Sequence, residues 1–173
     1  MIEALLNLLF KRIDIKREDS PNVYLRRWFI WPRNPKDDER CRRLYLHKFH
    51  RGDEDEWLHS HPWSYVTFIL FGGYWERSFS PAWLRERART GVWDNGLDPY
   101  IDKWYNPGTL MRRGSNWAHQ VRLPAGKIAW TIVLTGIKER SWGFITRDGL
   151  CNHKNYRGGV CWCHEGEGTK NFR

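Results

Sequence analysis

Two groups of residues in this sequence have the types and spacing for metal chemistry. The first begins in the stretch Trp57 to Glu76, WLHSHPWSYVTFILFGGYWE, where His59 and His61 stand two positions apart. Side chains on a strand alternate between faces, so an i, i+2 pair points the same way and two imidazoles can grip one ion. His119, in a later apolar stretch from Trp117 to Leu123, is the candidate third ligand. Neutral imidazole is the commonest metal ligand among side chains, and three of them with open positions suit Fe, Zn, Ni or Mn. Glu76 closes the stretch. It is a candidate ligand or acid/base, set against the plainer reading of a surface salt bridge.

The second group is Cys151, His153, Cys161, Cys163 and His164. Thiolates and imidazoles are zinc ligands. The order Cys-x-His, then seven residues, then Cys-x-Cys-His is not a finger or knuckle spacing, and free thiols in a polar tail are the competing reading. A Cys161–Cys163 disulfide would be strained.

Other residues are placed to receive a ligand. Trp63, Tyr65, Arg113 and Trp117 are the candidate ligand-binding set, with Trp75 and Trp130 as further wall residues. Arg77, Arg112, Arg113 and Arg122 fall on strands near the histidines, and an arginine fork clamps carboxylate or phosphate well. Alternation puts Arg112 and Arg113 on opposite faces, so at most one looks inward. His47 and His50 also face opposite ways. His50 is a candidate for the pocket mouth, and ordinary strand positions are the plainer reading of both.

Strands must carry these side chains. Val23 to Trp31, Arg43 to His50, Ser64 to Phe71, Tyr74 to Phe79, Tyr100 to Tyr105, Thr109 to Arg113, Trp117 to Leu123, Ile128 to Thr135 and Ser141 to Thr146 read as strands by alternation and by β-branched and aromatic content. In Arg43 to His50, Leu44, Leu46 and Lys48 share one face, and Tyr45, His47 and Phe49 the other. Gly72-Gly73 makes a hairpin turn. Ser80 to Pro99 reads as an irregular insert, and Ile2 to Arg12 as a short amphipathic helix docked on the domain. Short strands with turns at this spacing predict an all-β jelly-roll barrel. The expected organisation is an N-terminal helix and lead-in over 1–22, a barrel over 23–156 and a polar tail over 157–173.

The chain has 173 residues, enough for one packed domain, and twelve of them are Trp. The net charge of +9 permits phosphate or nucleic-acid affinity. The basic residues are nevertheless scattered and mixed with acids, as around Asp37-Asp38-Glu39, and a solvated basic surface accounts for them. No apolar run reaches the ~20 residues of a membrane span. No secretory signal is visible, so a cytoplasmic protein with reduced thiols is the expectation.

These motifs resemble the cupin superfamily. Its first motif sets a glycine before a His-x-His pair, then a glutamate, then a glycine. Gly52 precedes His59 with one residue more than usual, His59-Ser60-His61 supplies the pair, and Gly72 or Gly73 the last glycine. The glutamate slot falls on Tyr65 or Val66, neither acidic. The second motif survives as His119 after Gly114, without its Pro-x-Gly. The match extends to a small uncharacterised cupin-like group through His61-Pro62-Trp63, Ile69 to Glu76, Leu134-Thr135-Gly136 and Trp142-Gly143-Phe144. The resemblance implies a single cupin-type barrel (double-stranded β-helix) holding a divalent metal on His59, His61 and His119. It implies a small-molecule ligand, no membrane, and compatibility with a homodimer. The implied activity is a 3-His oxygenase or isomerase acting on a small polar molecule; the alternative is a non-enzymatic ligand-binding module, with nucleic-acid or protein interaction a distant third.

Overall fold

A computed structural model describes residues 2–17, 20–32, 41–53, 55–157 and 160–161. Cys163, His164 and most of the expected tail lie outside them, as does the acidic run at 37–39. The strands are β1 (Arg12–Arg17), β2 (Ser20–Trp31), β3 (Arg43–Phe49), β4 (Leu58–His59), β5 (Tyr65–Phe71), β6 (Tyr74–Phe79), β7 (Tyr100–Tyr105), β8 (Leu110–Arg113), β9 (His119–Arg122), β10 (Ala129–Thr135), β11 (Gly143–Thr146) and β12 (Gly149–Asn152). Two helices, α1 (Ile2–Leu9) and α2 (Pro81–Thr90), accompany them. One antiparallel sheet runs β1-β2-β3-β10-β5-β8, and a second runs β12-β11-β4-β9-β6-β7. The two sheets enclose the core, which is the expected all-β jelly roll with a short N-terminal helix.

The inner face of the first sheet follows directly from alternation. Leu25 and Phe29 of β2, Tyr45 and Phe49 of β3, Ala129 and Val133 of β10, and Ile69 of β5 are all buried. They sort into two apolar clusters. One holds Leu25, Phe49, Ile69, Tyr74, Met111, Val121 and Ala129; the other holds Phe29, Tyr45, Tyr65 and Val133. Burial of such side chains is worth about 1.5–3 kcal/mol each. The Gly72-Gly73 hairpin is needed where β5 turns: Gly72 has φ +87°, and a Cβ there would lie 2.0 Å from the Ile128 carbonyl oxygen.

Several elements differ from the sequence reading. The first helix stops at Leu9, and Arg12–Arg17 is a strand paired with β2. Only Ile13 and Ile15 mark its inner face, too short a pattern to declare itself. The helix docks by its polar side. Asn7 accepts the Trp28 indole N–H at 2.8 Å, and Glu3 pairs with Arg26 and Lys48. The leucine stripe therefore faces outward, with Leu8 82% exposed. The supposed irregular insert contains α2, which starts at Pro81 after Ser80, a position where a missing N–H costs nothing. It ends at Gly91 in the left-handed conformation. Trp83 of α2 is buried against Phe79 and Trp93.

Candidate metal centre

The pair of histidines is not on one strand. β4 ends at His59, and His61 lies in the loop beyond it. The cause is local: a residue before proline is steered out of regular pairing, and Pro62 has no N–H to give a ladder. Ser60, between them, is buried and anchors the turn by donating its N–H to the Gly143 carbonyl at 2.8 Å. His59 and His119 face each other directly across the β4–β9 pairing. Ring centroids of His59, His61 and His119 stand 5.0–5.1 Å apart. One ligand atom from each lies within 4.8 Å of the other two. The closest pair, His61 Nε2 and His119 Nε2, is 2.9 Å apart.

The His61–His119 pair has the spacing for one divalent ion. Two nitrogens each ~2.05 Å from one ion at right angles stand about 2.9 Å apart. Burial and the neighbouring histidines and Arg27 hold His61 well below the usual histidine pKa, so its ring is neutral and has a lone pair to give. Two carboxylates stand behind the rings. Glu76 Oε2 is 3.0 Å from His119 Nδ1, and Asp53 Oδ2 is 3.8 Å from His59 Nδ1. The Glu76 carboxylate on His119 Nδ1 fixes that ring's tautomer and turns its Nε2 toward the shared point, while Asp53 stands beyond hydrogen-bond distance of His59.

Glu76 is thus no surface salt bridge. It is 3% exposed and accepts hydrogen bonds from Arg113 as well as His119. Burial raises its pKa, but the His119 and Arg113 contacts outweigh this and leave it below the ordinary carboxyl value. Its inward direction follows from β6 alternation, with Tyr74, Glu76 and Ser78 all buried. Asp53 was not singled out in the sequence. Its Oδ2 accepts the Val121 N–H at 2.6 Å, and Tyr24 donates to Oδ1. The preceding Gly52 passes so close to β9 that a Cβ would meet Arg122 Cα at 2.9 Å. The motif glycine therefore brings Asp53 to the back of His59.

The other candidates divide into walls and supports. Trp63 stacks on His61, with centroids 6.3 Å apart, and the Tyr65 hydroxyl is 3.3 Å from His119 Nε2. Burial pushes the Tyr65 phenol well above its usual pKa, so it stays a hydrogen-bond donor. Arg113 is turned toward Glu76, and Trp117 lies over its guanidinium at 4.5 Å. Arg112 is exposed, as alternation requires. Trp75 and Trp130 do not wall a pocket. Trp75 packs on Trp104 and is 44% exposed, and Trp130 stacks on Trp28 on the outer face. Arg77 and Arg122 meet Asp102 away from the histidines. Inside the barrel it is His47, not His50, that is buried. A cleft of about 320 Å³ is lined by Trp63 and Trp142 and by none of the three histidines; the ring centroids of Trp63 and Trp142 lie 6.3 Å from His61 and 6.5 Å from His59.

In the second group, Cys151 and Cys161 form a disulfide. Those two sulfurs are therefore not the free thiols expected and do not supply thiolate ligands. His153 stacks on Trp142 at 4.4 Å. No helix among the described residues is long and apolar enough to cross a membrane.

No family model and no curated protein matches the sequence. Solved structures do match the fold. A cupin-2 domain protein from Rhodospirillum rubrum aligns over 80% of this chain and 77% of its own, at 13% identity and a TM-score of 0.53. Fe(II)-HppE aligns over 72% and 55%, at 10% identity and a TM-score of 0.49. The polyketide cyclase RemF from Streptomyces resistomycificus aligns over 71% and 72%, at 10% identity and a TM-score of 0.46.

Proposed function

From the premise that this chain belongs, by its fold, to the cupin superfamily, we propose that it binds one divalent metal on His59, His61 and His119 and acts there on a small polar molecule. The observation that carries the reading is the convergence of three imidazoles from β4, its following loop and β9, with carboxylates behind two of them. Such a centre supplies Lewis acidity, and with iron it supplies oxygen chemistry. The residues divide the remaining work. Glu76 holds the His119 ring in orientation, and the Asp53 carboxylate lies behind His59. Tyr65 presents a hydroxyl beside His119 and orients whatever binds there. Trp63 and Trp142 flank the approach and limit it to small molecules. Arg113 and Trp117 act behind the site by fixing Glu76. An oxygenase or isomerase is the reaction class that suits this arrangement, with iron, zinc, nickel or manganese as the ion.

Metal analysis of protein prepared without a polyhistidine tag tests the reading. One equivalent of a transition metal is expected, falling below a tenth of an equivalent in His119→Ala and His59→Ala. Substoichiometric metal after reconstitution with each of the four ions would defeat it.

A further inference from the structure

The first helix is docked in reverse. A surface helix normally turns its apolar stripe to the core and its polar side to water. In α1, Asn7 and Glu3 hold the polar side to Trp28, Arg26 and Lys48, while Ile2, Leu5, Leu8 and Leu9 stay exposed. A helix of eight residues gains little from its own backbone and depends on packing of its apolar face. The helix also covers only part of the outer face of its sheet. Its partners lie on β2 and β3, and β10, β5 and β8 continue that face beyond it. There alternation sets apolar side chains outward in registered rows. Leu46, Ile132, Phe68 and Leu110 stand side by side across β3, β10, β5 and β8, and Leu44, Leu134 and Val66 form the next row. The two areas join at Trp130, which stacks on Trp28 beneath the helix and stands opposite Phe71.

The size of this face decides what it is for. Phe68, Leu70, Phe71, Leu110 and Leu134, with the four helix side chains, are 36–82% exposed. At roughly 200 Å² for a fully exposed large side chain, they show on the order of 1,000 Å² of apolar surface to water. The largest apolar patch on a monomeric protein is about 300–600 Å². A stable interface takes about 800 Å² from each partner. The face therefore has the area of one complete interface. Its charge does not suit a lipid surface: helices that lie on membranes carry Lys and Arg along the apolar stripe, and α1 has Glu3 and no basic residue.

We propose that this face joins two copies of the chain, with α1 of each copy seated on the bare β10–β5–β8 half of the other. Symmetry gives the arrangement. A two-fold axis along the strands, at the border of β3 and β10, turns the helix-bearing half of one copy over the bare half of its partner. One patch then covers itself, ridge on flat in both directions. Each helix lies between two sheets, held by its polar side to its own and covered on its apolar side by the partner's. This also explains the reversed docking, since the outward stripe is the part that binds. The candidate metal ligands sit on the second sheet and its loop, so the inference stands apart from the metal reading.

Sedimentation velocity of the full-length protein tests this. A two-chain species is expected at about 10 µM, since interfaces of this area hold at µM or tighter. Leu8→Lys on the helix and Leu110→Lys on the sheet change exposed positions, so each chain should keep its wild-type circular dichroism. Each should weaken dimerisation by at least ~100-fold, because the symmetry places two lysines in the interface. Leu97→Lys, exposed but on neither element, should leave the dimer intact. Mixing the two interface variants tests the seating itself. The mixed dimer gathers both lysines into one helix–sheet contact and keeps the other in wild-type form. It should therefore associate at least ~10-fold more tightly than either variant alone. A mixture no tighter than its components would overturn the helix-on-sheet seating. A monomeric wild type at that concentration would overturn the interface. If that monomer floats with phosphatidylserine–phosphatidylcholine vesicles and Leu8→Lys does not, the face belongs to a lipid surface instead.

Discussion

Two half-buried arginines face the same interior from different strands, and their surroundings are opposites. Arg113 of β8 is matched. It pairs with Glu76 at 2.8 Å, and Glu76 in turn meets His119. Among the described residues, Arg27 of β2 has a neutral histidine and an aromatic face but no carboxylate. A matched buried pair is finished chemistry: it fixes geometry and has nothing left to offer a ligand. A half-buried cation without a carboxylate costs the folded protein stability. The contrast separates a charge tied into the histidine cluster from one left to a neutral partner.

Breaking the matched side should do the most damage. Glu76→Ala leaves Arg113 buried without its partner and His119 Nδ1 without its acceptor. A loss of about 3–5 kcal/mol is expected in urea unfolding. Glu76→Gln keeps much of the shape and should lower metal affinity by ~10- to 100-fold. Equal stability of Glu76→Ala and wild type would mean that the pair holds nothing.

Removing the unmatched cation should have the opposite sign. Arg27→Met is expected to leave ligand-free stability unchanged or raise it, by up to about 1–4 kcal/mol. A destabilisation comparable to that of Glu76→Ala would erase the distinction between the two arginines.

Acid should strain the interior of the metal-free protein. His47, His61 and His50 all have lowered pKa values, with burial the main cause. The unfolded chain takes up protons near pH 6.5 that the folded chain refuses. Stability is therefore fully present above pH 6.5 and falls as pH drops below it, by up to about 1.4 kcal/mol per pH unit for each such histidine. Glu76 acts in the same direction below its ordinary value of 4.5. Thermal melts from pH 8 to pH 5 check the slope, and His47→Gln should reduce it. A melting temperature that rises on acidification would contradict the assignment.

The smallest effect belongs on the outside. Arg77 and Asp102 make a two-pronged pair, but both are about one-third exposed. Water screens such pairs, so Asp102→Asn should cost about 0.2–1 kcal/mol. A larger loss would show that outer charges matter as much as inner ones.

Much of this was legible in the sequence because strands advertise their faces. Alternation in Arg43–Phe49 put Tyr45, His47 and Phe49 together, and the triad could be named from His59, His61 and His119. The same rule carried a signal that went unused. In Leu25-Arg26-Arg27-Trp28-Phe29, Arg27 has the parity of two core residues, as His47 has between Tyr45 and Phe49. A charged or polar residue on an apolar parity marks an interior site. That Arg27 stands opposite His47, and His47 opposite Thr131, needed strand order, since β10 joins β3 across more than half the barrel's sequence. Glu76 was misread because its partners, Arg113 and His119, come from strands far along the chain. The disulfide pairing of Cys151 depended on a turn through β13 (Tyr156–Arg157) and β14 (Val160–Cys161), which spacing does not specify.

The strand order also sets a timetable for the growing chain. β3 and β5 do not touch until β10 is inserted between them, and His59 has no cross-strand neighbour until β9 arrives. Both closures join segments distant in sequence, which makes folding slow. Nascent chains must therefore carry the inner side chains of β5, Tyr65 and Ile69, without their β10 flank until the last third of synthesis. The three candidate ligands come together only when β9 pairs with β4, so under the proposed reading a metal ion follows that closure and does not template it.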